Sequence, residues 1–265
     1  MQYSIITINY NNGEGLRHTV ESVISQTCHD YEYIVIDGGS ADDSVNIIKS
    51  FSEKIDYWVS EKDQGIYHAM NKGVAQAHGE YCVFLNSGDS FFDNQVLENI
   101  DKIETREDII VGKIVSEKDD NYLFAPPSRP ISLYYLYSGT VPHQSSFIKT
   151  ELLRMYPYDE RLKIVSDWKF FVQAIILNNC SVEYVDVNVA RFDVSGVSTS
   201  NPIKMSKEKE KVLSELFLPR ILDDYKQMKA SECLTQTLTP RLRQHFGIDK
   251  IVYCIGKFFL KLVGG

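Results

Sequence analysis

In the first third of the chain, four polar residues each follow an apolar run. Tyr10 follows residues 4–8, Asp37 follows 33–36, Asp63 follows 57–59 and Asp89 follows 81–85. Asp89 closes the stretch Gly79-Glu80-Tyr81-Cys82-Val83-Phe84-Leu85-Asn86-Ser87-Gly88-Asp89, which reads as a helix-stopping glycine, a buried strand and a short polar loop. A carboxylate in such a loop offers hard oxygens to a divalent cation, Mg2+ or Mn2+. Asn-Ser-Gly-Asp is also an ordinary turn by composition. The segment by itself leaves both readings open.

The elements that must position these residues follow from periodicity. Leu16, Val20, Val23 and Ile24 recur at helical spacing, as do Val45, Ile48 and Phe51 behind a capping Asp42. Ile66, Ala69, Met70, Gly73, Val74 and Ala77 form a third helical face. Alternating strands and helices imply parallel strands with right-handed crossovers. Ligands of such sheets sit beyond the carboxyl ends of the strands, so all four polar residues are expected on one rim of a nucleotide-binding half-sheet. No GxGxxG turn follows the first strand and no GxxxxGK[ST] loop is present, which argues against a dinucleotide oxidoreductase and a phosphate-loop enzyme. A nucleotidyltransferase on a similar sheet is a further reading, but this chain shows no basic glycine-rich loop for a triphosphate.

The second half changes character. Residues 109–111 read as a strand, and Lys118-Asp119-Asp120-Asn121 as a turn between hairpin arms. Pro126, Pro127 and Pro130 mark a loop, and Tyr134-Tyr135-Leu136-Tyr137 an aromatic segment. A helix is expected over about 167–177 with Trp168, Phe171, Val172 and Ile175 inward, then a strand over 182–189. Residues 192–198, with Gly196, read as a mobile loop able to close over a ligand. From Pro202 the chain is helical and charged, punctuated by Pro219 and Pro240. Residues 250–263 form a basic amphipathic pattern. Such a helix meets a membrane interface, packs on the protein body, or joins a second copy as a homodimer; packing is the preferred reading.

Composition narrows the class. The 265 residues are 43% hydrophobic and 24% charged, enough for one substantial core. A net charge of −8 argues against nucleic-acid binding. Five cysteines without a CxxC pair suggest neither a zinc site nor a disulfide framework, and point to a reducing compartment. The first residues lack a basic leader and a cleavage site, and no apolar run approaches the ~20 residues of a membrane span. A cytoplasmic location is expected, with the tail able to reach the inner face of the membrane.

Several segments in order carry a family resemblance: Ser4-Ile5-Ile6-Thr7-Ile8-Asn9-Tyr10-Asn11, Ile36-Asp37-Gly38-Gly39-Ser40, Ser60-Glu61-Lys62-Asp63-Gln64-Gly65-Ile66-Tyr67, Ala69-Met70-Asn71-Lys72-Gly73 and the stretch ending at Asp89. Together they resemble the A-type (GT-A) inverting glycosyltransferases of family two, which build bacterial capsule, O-antigen and exopolysaccharide. The likeness covers the first hundred residues closely, runs loosely through Ser166-Asp167-Trp168 to Ser198, and leaves the last sixty or so uncovered. It implies an α/β fold: a GT-A nucleotide-binding, mostly parallel sheet flanked by helices, with a helical C-terminal extension. The implied domains are 1–200, split into a nucleotide-sugar half (1–100) and an acceptor half (101–200), and 201–265.

The same resemblance implies roles. Tyr10 packs on the base and Asp37 contacts it, while Asp63 and Asn71 line the donor pocket. Asp89 binds the metal, Asp167 is the general base toward the acceptor hydroxyl, and His143 lies on the acceptor and diphosphate side. A carboxylate base of this kind contributes ~10²–10⁴-fold, and the start of a helix favours its ionised form. The implied donor is a nucleoside-diphosphate sugar, the acceptor a saccharide or lipid-linked saccharide, and the product β-linked from an α-linked donor. Where the family often has several acids, this chain has Asn86-Ser87-Gly88-Asp89, which leaves more of the cation's ligands to the diphosphate. A relative that binds the nucleotide sugar without catalysis, as an assembly partner, is the alternative.

Overall fold

Strand β1 (Tyr3–Asn9) is buried along its whole length, its polar Ser4, Thr7 and Asn9 included, so it shows no inside–outside alternation. It lies between two parallel neighbours, β2 (Tyr31–Asp37) and β4 (Tyr81–Phe84), and β3 (Tyr57–Ser60) joins β2 in parallel. Helices α1 (Gly13–Ile24), α2 (Ser44–Ser50) and α3 (Ile66–Gln76) make the crossovers. The expected alternation therefore holds. The computed structural model describes residues 1–127, 130–193 and 201–246.

Three local expectations change. Ile66 opens α3 but is 40% exposed, and Tyr67 is buried in its place. Helix α2 turns Ile47 and Ile48 inward, leaving Val45 and Phe51 half-buried. Its N-cap is Asp43. Asp42 instead accepts from Ser44 N at 3.1 Å and from Gly13 N at 2.9 Å, bridging the starts of α2 and α1.

Past β4 the sheet becomes mixed. After β5 (Ser90–Phe91) and α4 (Val96–Asp101), β6 (Ile109–Ser116) and β7 (Tyr122–Phe124) form the expected hairpin. Helix α5 (Leu133–Ser138) leads to β8 (Ser146–Lys149), which is antiparallel to both β4 and β6. Helix α6 (Thr150–Met155) follows. Helix α7 (Ser166–Phe171) continues as one wider π-helical stretch over Val172–Leu177, closed by Asn178 N on Gln173 O. Strand β9 (Val182–Phe192) runs parallel to β6 and reaches on to β5. The order is β3-β2-β1-β4-β8-β6-β9-β5, with β7 beside β6. The outcome is an α/β sheet, mostly parallel and flanked by helices.

The chain divides into two units, Met1–Val212 and Leu213–Gly265. The first turns of α8 (Pro202–Leu216) belong to the first unit. Helix α9 (Pro219–Phe246) also opens on a proline, where a missing N–H costs nothing. It runs on through Pro240, which does not end it. Among the described residues, no helix is long and apolar enough to cross a membrane. Residues 194–198 of the expected closing loop, and the amphipathic 250–263, lie outside the described residues.

Helix α3 approaches the sheet closely at Gly73, where an added Cβ would stand 2.5 Å from Ile6 Cγ2. Overfilling such a contact costs about 1–3 kcal/mol. Gly73→Val is expected to lower the urea midpoint by the equivalent of that amount, with an unchanged m-value.

Candidate active site

The end of β2 builds one wall. Asp37 is fully buried, and its carboxylate accepts four hydrogen bonds: from Asn9 Nδ2 (2.7 Å), Ser40 N (2.9 Å), Ser40 Oγ (2.6 Å) and Ser60 Oγ (2.6 Å). Burial works to raise its pKa, but these donors outweigh it and hold the group below the usual carboxylate range. Asp37 thus faces inward and ties β1, β3 and the 38–40 turn together. Above it, Tyr10 is 68% exposed. A Cβ on Gly38 would lie 3.2 Å from Asp63 Oδ2 and 3.3 Å from Tyr10 Cδ2, so a bare backbone separates ring from carboxylate. Asp63 Oδ1 meets His68 Nδ1 at 3.0 Å and Lys72 Nζ at 2.6 Å. Burial opposes the Lys72 charge, but Asp63 and Glu61 prevail and raise its pKa.

The loop after β4 is held from α1. Thr19 Oγ1 donates to Asp89 O (2.6 Å) and accepts from Gly88 N (3.0 Å). Gly88 has φ +107°, a left-handed region suited to glycine, and a Cβ there would stand 2.9 Å from Asp193 Oδ2. Asp89 is 3% exposed, and its Oδ1 accepts from Asp193 N at 3.0 Å. The first residue past β9 is therefore pinned to this loop. Burial pushes the Asp89 carboxyl up to about 6, only partly opposed by the Asp193 amide, His143 and Gln144. Asn86 Oδ1 is buried without a partner.

Asp167 stands in the first turn of α7, with Val165 and not Ser166 or Asp167 at the N-cap. Tyr67 OH donates to its Oδ1 (2.9 Å), and His143 Nδ1 meets its Oδ2 (3.1 Å). With Nδ1–H given to Asp167, His143 Nε2 is the acceptor facing Asn86 Nδ2 at 3.4 Å. Burial acts to raise the Asp167 pKa, but the hydrogen bonds from His143 and Tyr67 outweigh it, so the group stays ionised. The Asp167 side chain keeps 17% exposure, which leaves an edge open to an incoming hydroxyl.

The structure thus brings Asp167, His143 and the Asn86–Asp89 loop into one hydrogen-bonded path, and groups Tyr10 with Asp63 over Asp37. Asn71 points elsewhere. It donates to Tyr158 O and Glu160 Oε1 (2.9 Å each) and accepts from Tyr158 N (3.0 Å). A hollow of about 470 Å³ beside it, lined mainly by residues 155–160, includes none of Tyr10, Asp37, Asp63, Asp89, His143 or Asp167. These two groups of side chains, and not that hollow, are the candidate site. Sequence reasoning gave Tyr67 and Thr19 no role. Their signals were a tyrosine inside a quoted motif and a threonine on the buried stripe of α1.

The profile of glycosyl transferase family 2 matches residues 4–176. The chain belongs to glycosyl transferase family 2. A glycosyltransferase of Mycobacterium tuberculosis is 33% identical over 204 residues, covering 74% of this chain and 76% of that one. A PGL/p-HBAD biosynthesis glycosyltransferase of Mycobacterium bovis is 27% identical over 201 residues, with 73% and 77% covered. Among solved structures, S. aureus TarS is similar with TM-score 0.65 and 20% identity, over 81% of this chain and 39% of that longer one. The Pyrobaculum calidifontis mannosyltransferase PcManGT, in complex with GDP-Man and Mn2+, gives TM-score 0.60 and 17% identity over 81% and 64%. These two likenesses show the family 2 protein to share the GT-A fold.

Asp89 has a testable cost. Its folded pKa of about 6 lies above the ordinary 3.8, so stability falls as pH rises between these values, by about 3 kcal/mol in all. With chelator present and no nucleotide, Asp89→Asn is expected to raise the melting temperature at pH 7.5, by the equivalent of about 1–3 kcal/mol. The gain should vanish near pH 4.

Proposed function

We propose that the protein moves a sugar from a nucleoside-diphosphate sugar to a hydroxyl of a saccharide or lipid-linked saccharide, with inversion, in cell-surface glycan biosynthesis. The observation that carries this reading is the Tyr67–Asp167–His143–Asn86 path. It keeps one partly open carboxylate ionised beside the loop that ends in Asp89. Relatives support the class: one is named for PGL/p-HBAD biosynthesis, and TarS has been solved with UDP-GlcNAc.

Tyr10 is the exposed platform for the nucleobase, with Asp63 at its edge. Asp37 acts from below, shaping the 38–40 turn that the base meets. His143 holds the Asp167 ring-side oxygen, and Tyr67 holds the other, so the carboxylate edge is aimed before the acceptor arrives. Asp167 takes the acceptor proton as the hydroxyl attacks the anomeric carbon from the face opposite the diphosphate. One such displacement inverts that centre. Asn71 supports the pocket by fixing the 158–160 segment.

A divalent cation fits the loop after β4. Asp89 is a carboxylate that burial has left short of positive charge, and Asn86 Oδ1 is a second oxygen with no partner. No group of three acidic, histidine or cysteine side chains able to hold a metal occurs among the described residues, so diphosphate oxygens would complete the ligand set. When bound, the ion neutralises charge on the departing diphosphate. The mannosyltransferase complex with Mn2+ supports this assignment.

A panel of UDP- and GDP-sugars, each with Mn2+, Mg2+ or chelator, tests the reading by thermal shift and by release of nucleoside diphosphate. Nucleoside diphosphate and not pyrophosphate is the expected product, and the metal-dependent donors should raise the melting temperature. Asp167→Asn is expected to lower kcat ~10²–10⁴-fold with donor KM nearly unchanged. Tyr10→Ala is expected to raise donor KM about tenfold with little change in kcat, as loss of one base-stacking contact implies.

A further inference from the structure

Helix α8 lies beyond the region matched to the family, yet it is fastened to the segment that bears Asp167. Glu208 accepts from Lys163 N (3.1 Å to Oε1, 3.2 Å to Oε2) and from Ile164 N (2.9 Å). These two amides stand just before the N-cap of α7, in a stretch where Arg161 and Lys163 are exposed. The next residue of α8, Lys209, places Nζ 4.9 Å from the Trp168 ring centre and donates to Gly139 O at 2.8 Å. Trp168 is 2% exposed and donates its Nε1 to Leu136 O at 2.8 Å. Asp167 is therefore flanked by two contacts from one helix, through the backbone at 163–164 and the ring at 168.

The fastening reaches the other side of the site as well. Lys163 Nζ donates to Gln64 O at 3.1 Å, next to Gly65 at the start of α3. Helix α3 supplies Tyr67, the donor to Asp167 Oδ1. The segment held by Glu208 thus touches both elements whose first turns must stay in register for that bond to form. Opposing anchors exist on the far side of the turn, where Asp159 N donates to Ser166 Oγ and Lys169 Nζ binds Asp159 Oδ2 at 2.7 Å. Those contacts fix one edge of the first turn of α7 and leave its 163–164 approach to α8.

We propose that Glu208 and Lys209 are positioning residues for the transfer step. From outside the family-matched region they set where the first turn of α7 presents Asp167. The proposal rests on the reading of Asp167 as general base. A charge-assisted bond from Glu208 to two amides and a cation held on an indole face are both directional enough for that task. A displacement of about 1 Å at a reacting group costs on the order of a hundredfold in rate.

The test uses the full chain, the donor panel above, and four variants: Glu208→Gln, Glu208→Asp, Lys209→Met and Lys209→Arg. Each is made alone and in the Asp167→Asn background. Glu208→Gln and Lys209→Met are expected to lower kcat about ten- to a hundredfold, leave donor KM within about twofold, and keep the melting temperature within a few degrees. Lys209→Arg, which preserves the cation over the ring, should restore most of the rate, and Glu208→Asp part of it. In the Asp167→Asn background the same changes should cost almost nothing more, because residues acting through one group are not additive. Unchanged kcat in both single variants, or an equal loss with Asp167 already replaced, overturns the proposal. Loss of donor affinity in step with kcat overturns it too. If Glu208→Gln does not fold, Lys209→Met decides by the same criteria. A fully active Asp167→Asn instead overturns the base assignment, and no turnover from any donor overturns the glycosyltransferase reading. Both results are distinct from failure of the positioning claim alone.

Discussion

A carboxylate can work in a dry cleft only if something keeps it charged, and here that task falls to the bond between His143 and Asp167. Burial alone would favour the neutral acid. The imidazole and the Tyr67 hydroxyl reverse that preference and fix both oxygens in space. Asp89 shows the opposite outcome a few residues away in the same path. There the Asp193 amide, His143 and Gln144 offset burial only in part, and the carboxyl is pushed up. Two acids with opposed environments in one site is the pattern expected when one accepts a proton and the other awaits a cation.

The sheet exists, in functional terms, to bring these environments together. Parallel strands β1, β2 and β4 deliver their carboxyl ends to one rim. Buried polar residues then fix the loops: Asp37 through four donors, Thr19 through the Gly88–Asp89 backbone. Each satisfies groups that would otherwise be stranded in a low-dielectric interior. The mixed second half of the sheet supplies what the parallel half lacks, since β8 follows the short turn that bears His143 and the end of β9 delivers the Asp193 amide.

Much of this was legible in the sequence, for physical reasons. Fully buried parallel strands write themselves as largely apolar runs, and α1 and α3 show a clear helical stripe, so the parallel half of the sheet could be read directly. The second half was harder. Strand β5 has two residues and β8 four, too few for any period, and both owe their form to partners far away in sequence. Asp37 and Asn71 were located but their neighbours were not, because a carboxylate or an amide looks the same whether it faces a ligand or binds the backbone behind it. The contacts of Glu208 and Lys209 were invisible for a further reason. Long charged side chains on a helix give no sign of which will be anchored.

The pairing of β5 with β9 has a consequence for how the protein comes into being. The bond from Asp193 to Asp89 joins positions 104 apart, and so closes a large loop whose entropy must be overcome before the contact gives anything back. While the chain is leaving the ribosome, the strands around β1 can assemble as soon as β4 has emerged. The acidic loop must wait for more than a hundred further residues, at a synthesis rate of roughly 5–20 residues per second. For several seconds the loop after β4 therefore stays without its tie to the end of β9, and a newly made molecule closes that contact late.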